Sequence, residues 1–284
     1  MNRGPADLQG SKTLNELWAR YKGEFEEWLS ISRKVSEKTR KDYMKALSYF
    51  FVRYTIKTGP DIKKFLDKEG NKRNIANGLR VFLTFLAERD YLDYDIAMII
   101  KKRFIKARQV GVKRIYITDQ ELKEAYEEVK KRGFKKQLLF ELLVFTGLRL
   151  THVVELMNTY EPDNLYIVND KIARYPLMIV DRGNKKAYWA YMPLELAKKL
   201  TRMKVNYKSA QDWPQYKKVS AATIRKWFTT FLARRGVSAE VIDFIQGRAP
   251  RSVLERHYLN LTVLADEAYS RVVDELKKVL EGEL

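Results

Sequence analysis

The stretch QLLFELLVFTGLRLTHVVEL, Gln137 to Leu156, decides how the second half of this chain folds. Gln137–Phe145 is apolar at nearly every position, so no polar stripe is left and the segment reads as a helix buried on all sides. Gly147 breaks it, and a further helix runs through Leu156. An arginine directly after that glycine, at the end of a buried helix, has two readings. Either Arg149 runs its stem along apolar surface to solvent, or it is held inside and needs an anion there.

Working outward, Thr118 in Ile117-Thr118-Asp119-Gln120-Glu121 is placed to cap a helix over Leu122–Val129. Downstream the period changes from helical to alternating. Leu165–Val168, Leu177–Val180 and Ala187–Met192, separated by turns at Asn169-Asp170 and Arg182-Gly183-Asn184, predict a three-stranded antiparallel sheet. Tyr188, Trp189 and Tyr191 on the last strand either pack on the sheet face or stack on bases. Helices resume over Pro193–Met203, Ala221–Arg235, Ala239–Ile245 and Ser252–Tyr258, and an amphipathic helix from about Val263 to Leu280 closes the chain.

Upstream, residues 1–10 carry Gly4, Pro5 and Gly10 and read as a loose tail. Apolar residues at helical spacing from Leu14 to Leu29, from Thr39 to Tyr54 after a cap at Ser36, over Asp61–Leu66, and over Asn74–Arg89 predict about four helices in residues 11–100. Asp90, Asp93 and Asp95 read as a capped helix-to-helix connection or, as a less economical alternative, a carboxylate cluster for a metal. The expected organisation is a tail (1–10), a helical domain (11–100), a basic linker (101–115) and a second domain (116–284). The fold class is mainly α with a small antiparallel sheet, α+β.

The chain has 284 residues, 55 Lys and Arg against 36 Asp and Glu, and a formal charge of +19. Such an excess repels itself and is relieved by a polyanion, which makes nucleic acid the expected partner; a Lys- and Glu-rich, Cys-free composition with many Tyr is also that of thermophile surfaces. The excess is concentrated. No acid occurs from Ile96 to Thr118, where Lys101, Lys102, Arg103, Lys106, Arg108, Lys113 and Arg114 fall, and Lys72, Arg73 and Arg80 lie on or beside the fourth helix. These ten are the candidate phosphate contacts. Without cysteine there is no disulfide, thiol nucleophile or Cys-ligated metal, and His152 and His257 are the only imidazoles, so no metal or other cofactor is expected. No uncharged apolar run approaches the ~18–20 residues of a membrane span, and Met1–Lys12 lacks a signal-peptide core, so a cytoplasmic location is expected.

Three further pieces carry chemistry only when taken in order with Thr146-Gly147-Leu148-Arg149. They are a hairpin at Asp181–Lys186, Thr223-Ile224-Arg225 followed by Phe228, Leu232 and Gly236-Val237, and Ile245-Gln246-Gly247-Arg248 followed by Tyr258. As an ordered set they resemble the catalytic domain of the tyrosine recombinase (integrase) family, in particular its archaeal virus and plasmid branch. The helical first domain and basic linker resemble that family's core-binding domain and the connection of its DNA clamp, so the likeness spans about 11–275.

The resemblance implies a site-specific recombinase that integrates or excises a mobile element through a 3′-phosphotyrosine. Tyr258 is the implied nucleophile, Arg149 and Arg225 clamp the phosphate, Arg248 adds a further donor where relatives usually carry His or Trp, and Lys185 is the general acid. Lys186 and Arg182 are alternatives for that acid, though a guanidinium holds its proton too tightly. Ala222 stands where the family commonly has His, which leaves water or His257 to take the tyrosine proton. The resemblance also implies a tetramer on paired DNA sites, with the C-terminal helix docking on a neighbouring copy. Two other functions fit parts of the pattern, a DNA-binding protein of integrase ancestry that no longer cuts and a type IB topoisomerase-like relaxase.

Overall fold

The structure is a computed structural model that describes residues 13–107, 111, 114–180, 186–248 and 260–281. The chain divides into two compact units, Met1–Val112 and Lys113–Leu284. The tail at 1–10, the expected helix Ser252–Tyr258, and Arg108, Lys113, Arg182, Lys185, His257 and Tyr258 lie outside the described residues. Lys186 is described by its backbone alone.

The first unit is built from α1 (Leu14–Ile31), α2 (Glu37–Arg53), α3 (Gly59–Lys68), α4 (Arg73–Glu88) and α5 (Tyr94–Arg103). Thr13 and Thr58 close capping boxes at α1 and α3, and Ser36 accepts the Thr39 amide at the start of α2. The apolar faces meet in an aromatic core in which Trp18, Phe25, Phe51 and Phe82 pack edge-on and stacked, with ring centroids 5.2–6.0 Å apart. Asn15 ties α1 to the end of α2, donating to the Phe51 and Tyr54 carbonyls and accepting from the Ile56 amide, each at 2.8 Å.

Among the described residues of this unit there are five helices rather than four, because Asp93 caps α5 by accepting from the Ile96 amide and Ala97 and Ile100 bury its inner side. Asp93 therefore serves the capped connection. The basic stretch expected as linker from 101 begins inside this helix: Lys101, Lys102 and Arg103 form its last turn, where cations suit the helix dipole.

The second unit comprises α6 (Asp119–Lys130), α7 (Phe134–Thr146), α8 (Leu150–Thr159), the strands β1 (Tyr166–Ile167), β2 (Ile172–Val180) and β3 (Lys186–Pro193), then α9 (Leu194–Lys199), α10 (Tyr207–Ala210), α11 (Ala221–Arg234), α12 (Ala239–Ile245) and α13 (Leu261–Glu281). Thr118 caps α6 in a full capping box. Every residue of α7 from Leu138 to Thr146 is buried, as its nearly continuous apolar run predicts. Glu141 is tolerated there because the Tyr126 hydroxyl and Gln137 Nε2 both donate to its Oε1.

The sheet is antiparallel with order β1-β2-β3, pairing Tyr166 with Arg174 and Tyr175 with Ala190. β2 starts at Ile172, earlier than the expected Leu177, and carries Pro176 within it. A proline has no amide to donate, and it is accommodated beyond the end of the short β1, next to the register shift between Pro176 and Ile179. Trp189 lies over the Arg174 guanidinium and the buried Tyr191 packs on Tyr269, so these two aromatics serve packing; Tyr188 stacks on Phe244 and stays 41% exposed.

α13, expected to dock on a neighbouring copy, buries Ala265, Tyr269, Val272, Val273 and Leu276 within its own unit. The Tyr269 hydroxyl donates to the Phe145 carbonyl at 2.8 Å, Asn169 to Ser270 at 2.8 Å, and Arg174 reaches both oxygens of Asp266 at 2.9 and 2.7 Å. Among the described residues no helix is long and apolar enough to cross a membrane.

Candidate active site

The buried helix α7 ends because Gly147 takes a left-handed conformation, φ 59° and ψ 13°. Two constraints meet at this residue. A side chain there would be strained at positive φ, and its Cβ would run into the buried ring of Phe228. Thr146 supports the turn, its hydroxyl donating to the Leu142 carbonyl at 2.5 Å and accepting the Leu148 amide at 3.2 Å. The chain then leaves as the extended N-cap Arg149, whose Nη1 donates to the Gly247 carbonyl at 2.7 Å.

α11 supplies the second cation. Ser220 and Thr223 cap this helix reciprocally, and Arg225 in its second turn donates from Nη1 to the carbonyls of Gly147 (2.8 Å) and Gln246 (2.7 Å). Gln246, fully buried, completes the lock: its Nε2 donates to the Arg225 carbonyl at 2.9 Å and its Oε1 accepts from Thr229 at 3.1 Å. α12 ends just beyond, at Gly247 with φ 68°, and delivers Arg248, whose Nη1 meets Asp243 Oδ1 at 2.5 Å. Three sequence boxes are thus joined by the carbonyls of two glycine turns, Gly147 and Gln246-Gly247.

Among the described residues the cluster gathers three guanidiniums, with the Asp243 carboxylate set against them. Burial, then the charges of Arg149 and Arg248, push the pKa of Arg225 down to about 9, with Asp243 acting in the opposite sense. Its Nη2 is buried and has no hydrogen-bond partner among the described residues. A planar donor held on one edge and unsatisfied on the other, beside two more guanidiniums, is suited to a tetrahedral oxyanion.

Of the sequence-predicted site residues, the fold brings together Arg149, Arg225 and Arg248. Lys185, Arg182, His257 and Tyr258 lie outside the described residues, and Ala222 is an exposed methyl with no polar group. Gln246 and Asp243 were missed. Gln246 stands inside a quoted box, yet nothing in the sequence singles out its carboxamide as the group that fixes Arg225.

The ten candidate phosphate contacts divide. Arg80 donates to the Ile105 carbonyl at 2.7 Å, holding the segment after α5 onto α4, and Lys101 donates to Thr84 at 2.8 Å, holding α5 itself there; burial, then the charge of Arg33, lowers the pKa of Lys101. Lys72 pairs with Glu69 at 2.6 Å but stays exposed. Arg73, Lys102, Arg103, Lys106 and Arg114 are exposed.

A family model described as archaeal phage integrase matches residues 114–275, more than half of the chain. The chain belongs to the archaeal phage integrase family. The match contains all three arginines of the cluster. Solved structures similar to this integrase include that of XerA recombinase, at 17% identity over 88% of this chain and 97% of the other, with a TM-score of 0.36. An integrase from mycobacterium phage Brujita gives 15% identity, 92% and 98% coverage and a TM-score of 0.37. XerH site-specific recombinase, bound to its difH substrate in a pre-cleavage complex, gives 12%, 98% and 99% with 0.43. No curated protein matches the chain.

Proposed function

We propose that this integrase is a site-specific recombinase of the tyrosine class, which cuts and rejoins double-stranded DNA at the recombination sites of a mobile element. The observation that carries this reading is the convergence of Arg149, Arg225 and Arg248, with the buried Arg225 Nη2 lacking an acceptor among the described residues. A scissile phosphate seated there would take that N–H and offset the repulsion among three guanidiniums. Its charge grows in the transition state, so donors fixed beforehand by backbone carbonyls lower the barrier without reorganising.

In the proposed step the Tyr258 oxygen bonds to phosphorus as the bond to the 5′-oxygen breaks. Lys185, or Lys186, gives a proton to the departing oxygen, and the tyrosine proton passes to water or to His257, since Ala222 carries no acceptor. The phosphodiester is conserved as a 3′-phosphotyrosine, and the freed 5′-hydroxyl of a second strand reverses the step. Arg73, Lys102, Arg103, Lys106 and Arg114 supply contacts to the DNA backbone that position the duplex without reading sequence. Four copies would assemble on two sites. The apolar residues of α13 left for contact with another copy are Val263 and Leu264 near its start.

Ala222 favours one other reading, a DNA-binding integrase relative that does not cut. The two are separated by incubating the protein with nicked duplexes carrying candidate sites and digesting any covalent product. The recombinase reading expects a tyrosine-linked 3′-phosphate and a free 5′-hydroxyl, at defined sequences. Cutting without regard to sequence would point to a relaxase, and binding without any adduct to the non-cutting protein.

A further inference from the structure

The turn that closes α12 brings a carboxylate into the arginine cluster. Gly247 donates its amide to the Phe244 carbonyl at 3.0 Å and Arg248 donates its own to the Asp243 carbonyl at 2.8 Å, so the chain folds back over the last turn of the helix. Arg248 Nη1 then meets Asp243 Oδ1, with the two side chains 32% and 22% exposed. Of the charges bearing on Arg225, those of Arg149 and Arg248 repel it and that of Asp243 attracts it.

We propose that Asp243 is a positioning residue, which holds the Arg248 guanidinium beside the phosphate seat and is the internal anion with which an incoming phosphate competes. This inference rests on the recombinase reading above and names a residue that reading does not use. A third guanidinium next to two others is driven outward by repulsion, and its long stem has many rotamers through which to leave. The carboxylate removes that freedom. The same negative charge, close to where phosphate must sit, weakens the binding of phosphate itself. Asp243 therefore has opposite effects on two measurable quantities, lowering phosphate affinity and raising the rate of the chemical step.

The test uses the full chain, with inorganic phosphate titrated by calorimetry and adduct formation timed on saturating nicked duplex. Asp243→Asn is expected to tighten phosphate binding about fivefold and slow adduct formation about tenfold, the range open to one partly shielded charge. Asp243→Glu restores both to within about threefold, and Glu240→Gln, which removes the same charge from the first turn of α12, changes neither more than about twofold. In an Arg248→Ala background, adding Asp243→Asn slows the adduct no further. Phosphate binding that weakens or stays unchanged in Asp243→Asn overturns the proposal, as does equal slowing with and without Arg248. Should wild type form no adduct on DNA that it binds, the recombinase reading fails, while the phosphate titration still decides whether Asp243 competes for the seat.

Discussion

Substituting Gly147 by Ala tests how the site is built, because one methyl meets two separate obstacles. The left-handed backbone at φ 59° costs an ordinary residue roughly 1–2 kcal/mol. The added Cβ also runs into the Phe228 ring, which is fully buried on α11, and forcing an extra carbon into a packed core costs about 1–3 kcal/mol. Together these give a loss of about 2–5 kcal/mol, a large part of the roughly 5–15 kcal/mol that holds a domain folded. Urea denaturation followed by circular dichroism should show the transition of the second unit falling while that of the first stays in place. Phosphate binding should weaken as well, since the Gly147 carbonyl is an acceptor for Arg225. A Gly147→Ala protein whose stability stays within about 0.5 kcal/mol of wild type, the range of an ordinary surface substitution, would refute the reasoning about both obstacles.

Gln246→Leu keeps the volume but removes the bonds to the Arg225 carbonyl and Thr229; a loss of about 1–3 kcal/mol by denaturation, with weakened phosphate binding, is expected. Arg174→Ala leaves Asp266 partly buried without its partner cation and should destabilise the second unit by about 3 kcal/mol, read from the same denaturation curves. Inorganic phosphate should raise the melting temperature at pH 7, and the increment should be largely lost in Arg225→Gln, because the anion is held by the guanidinium cluster. The hydrogen bond from Lys72 holds the Glu69 pKa below its ordinary value, so this carboxylate stabilises the first unit above pH 4.5 and loses its effect as pH falls through the lowered value. Melting of Glu69→Gln should accordingly depend less on pH than wild type below pH 4.5.

Much of the fold is written locally. Thr118 and Ser36 are capping residues whose side chains and spacing suffice to start a helix, and the apolar run before Gly147 suffices to bury one. The strand pattern failed at Pro176, because a proline demotes a strand only where its missing amide would have a partner. The fifth helix was hidden because α5 buries only Ala97 and Ile100, too few residues to set a period, and ends in three cations that composition assigns to a linker. Least legible were Arg80 and Lys101, since a cation that serves a carbonyl or a hydroxyl in its own unit has the same sequence signature as one that meets phosphate. Gln246 and Asp243 depend on contacts that the glycine turn at 247 creates, and no periodicity announces them.

In the proposed function, three arginines gathered by two glycine turns would hold a DNA phosphate for attack by Tyr258. This function is tested most directly by comparing wild type with Tyr258→Phe on a labelled nicked duplex carrying a candidate site, on denaturing gels and without added metal. A covalent protein–DNA band is expected for wild type and none for Tyr258→Phe, with both proteins binding the duplex equally. A band that persists in Tyr258→Phe, or none from wild type on DNA it demonstrably holds, would contradict it.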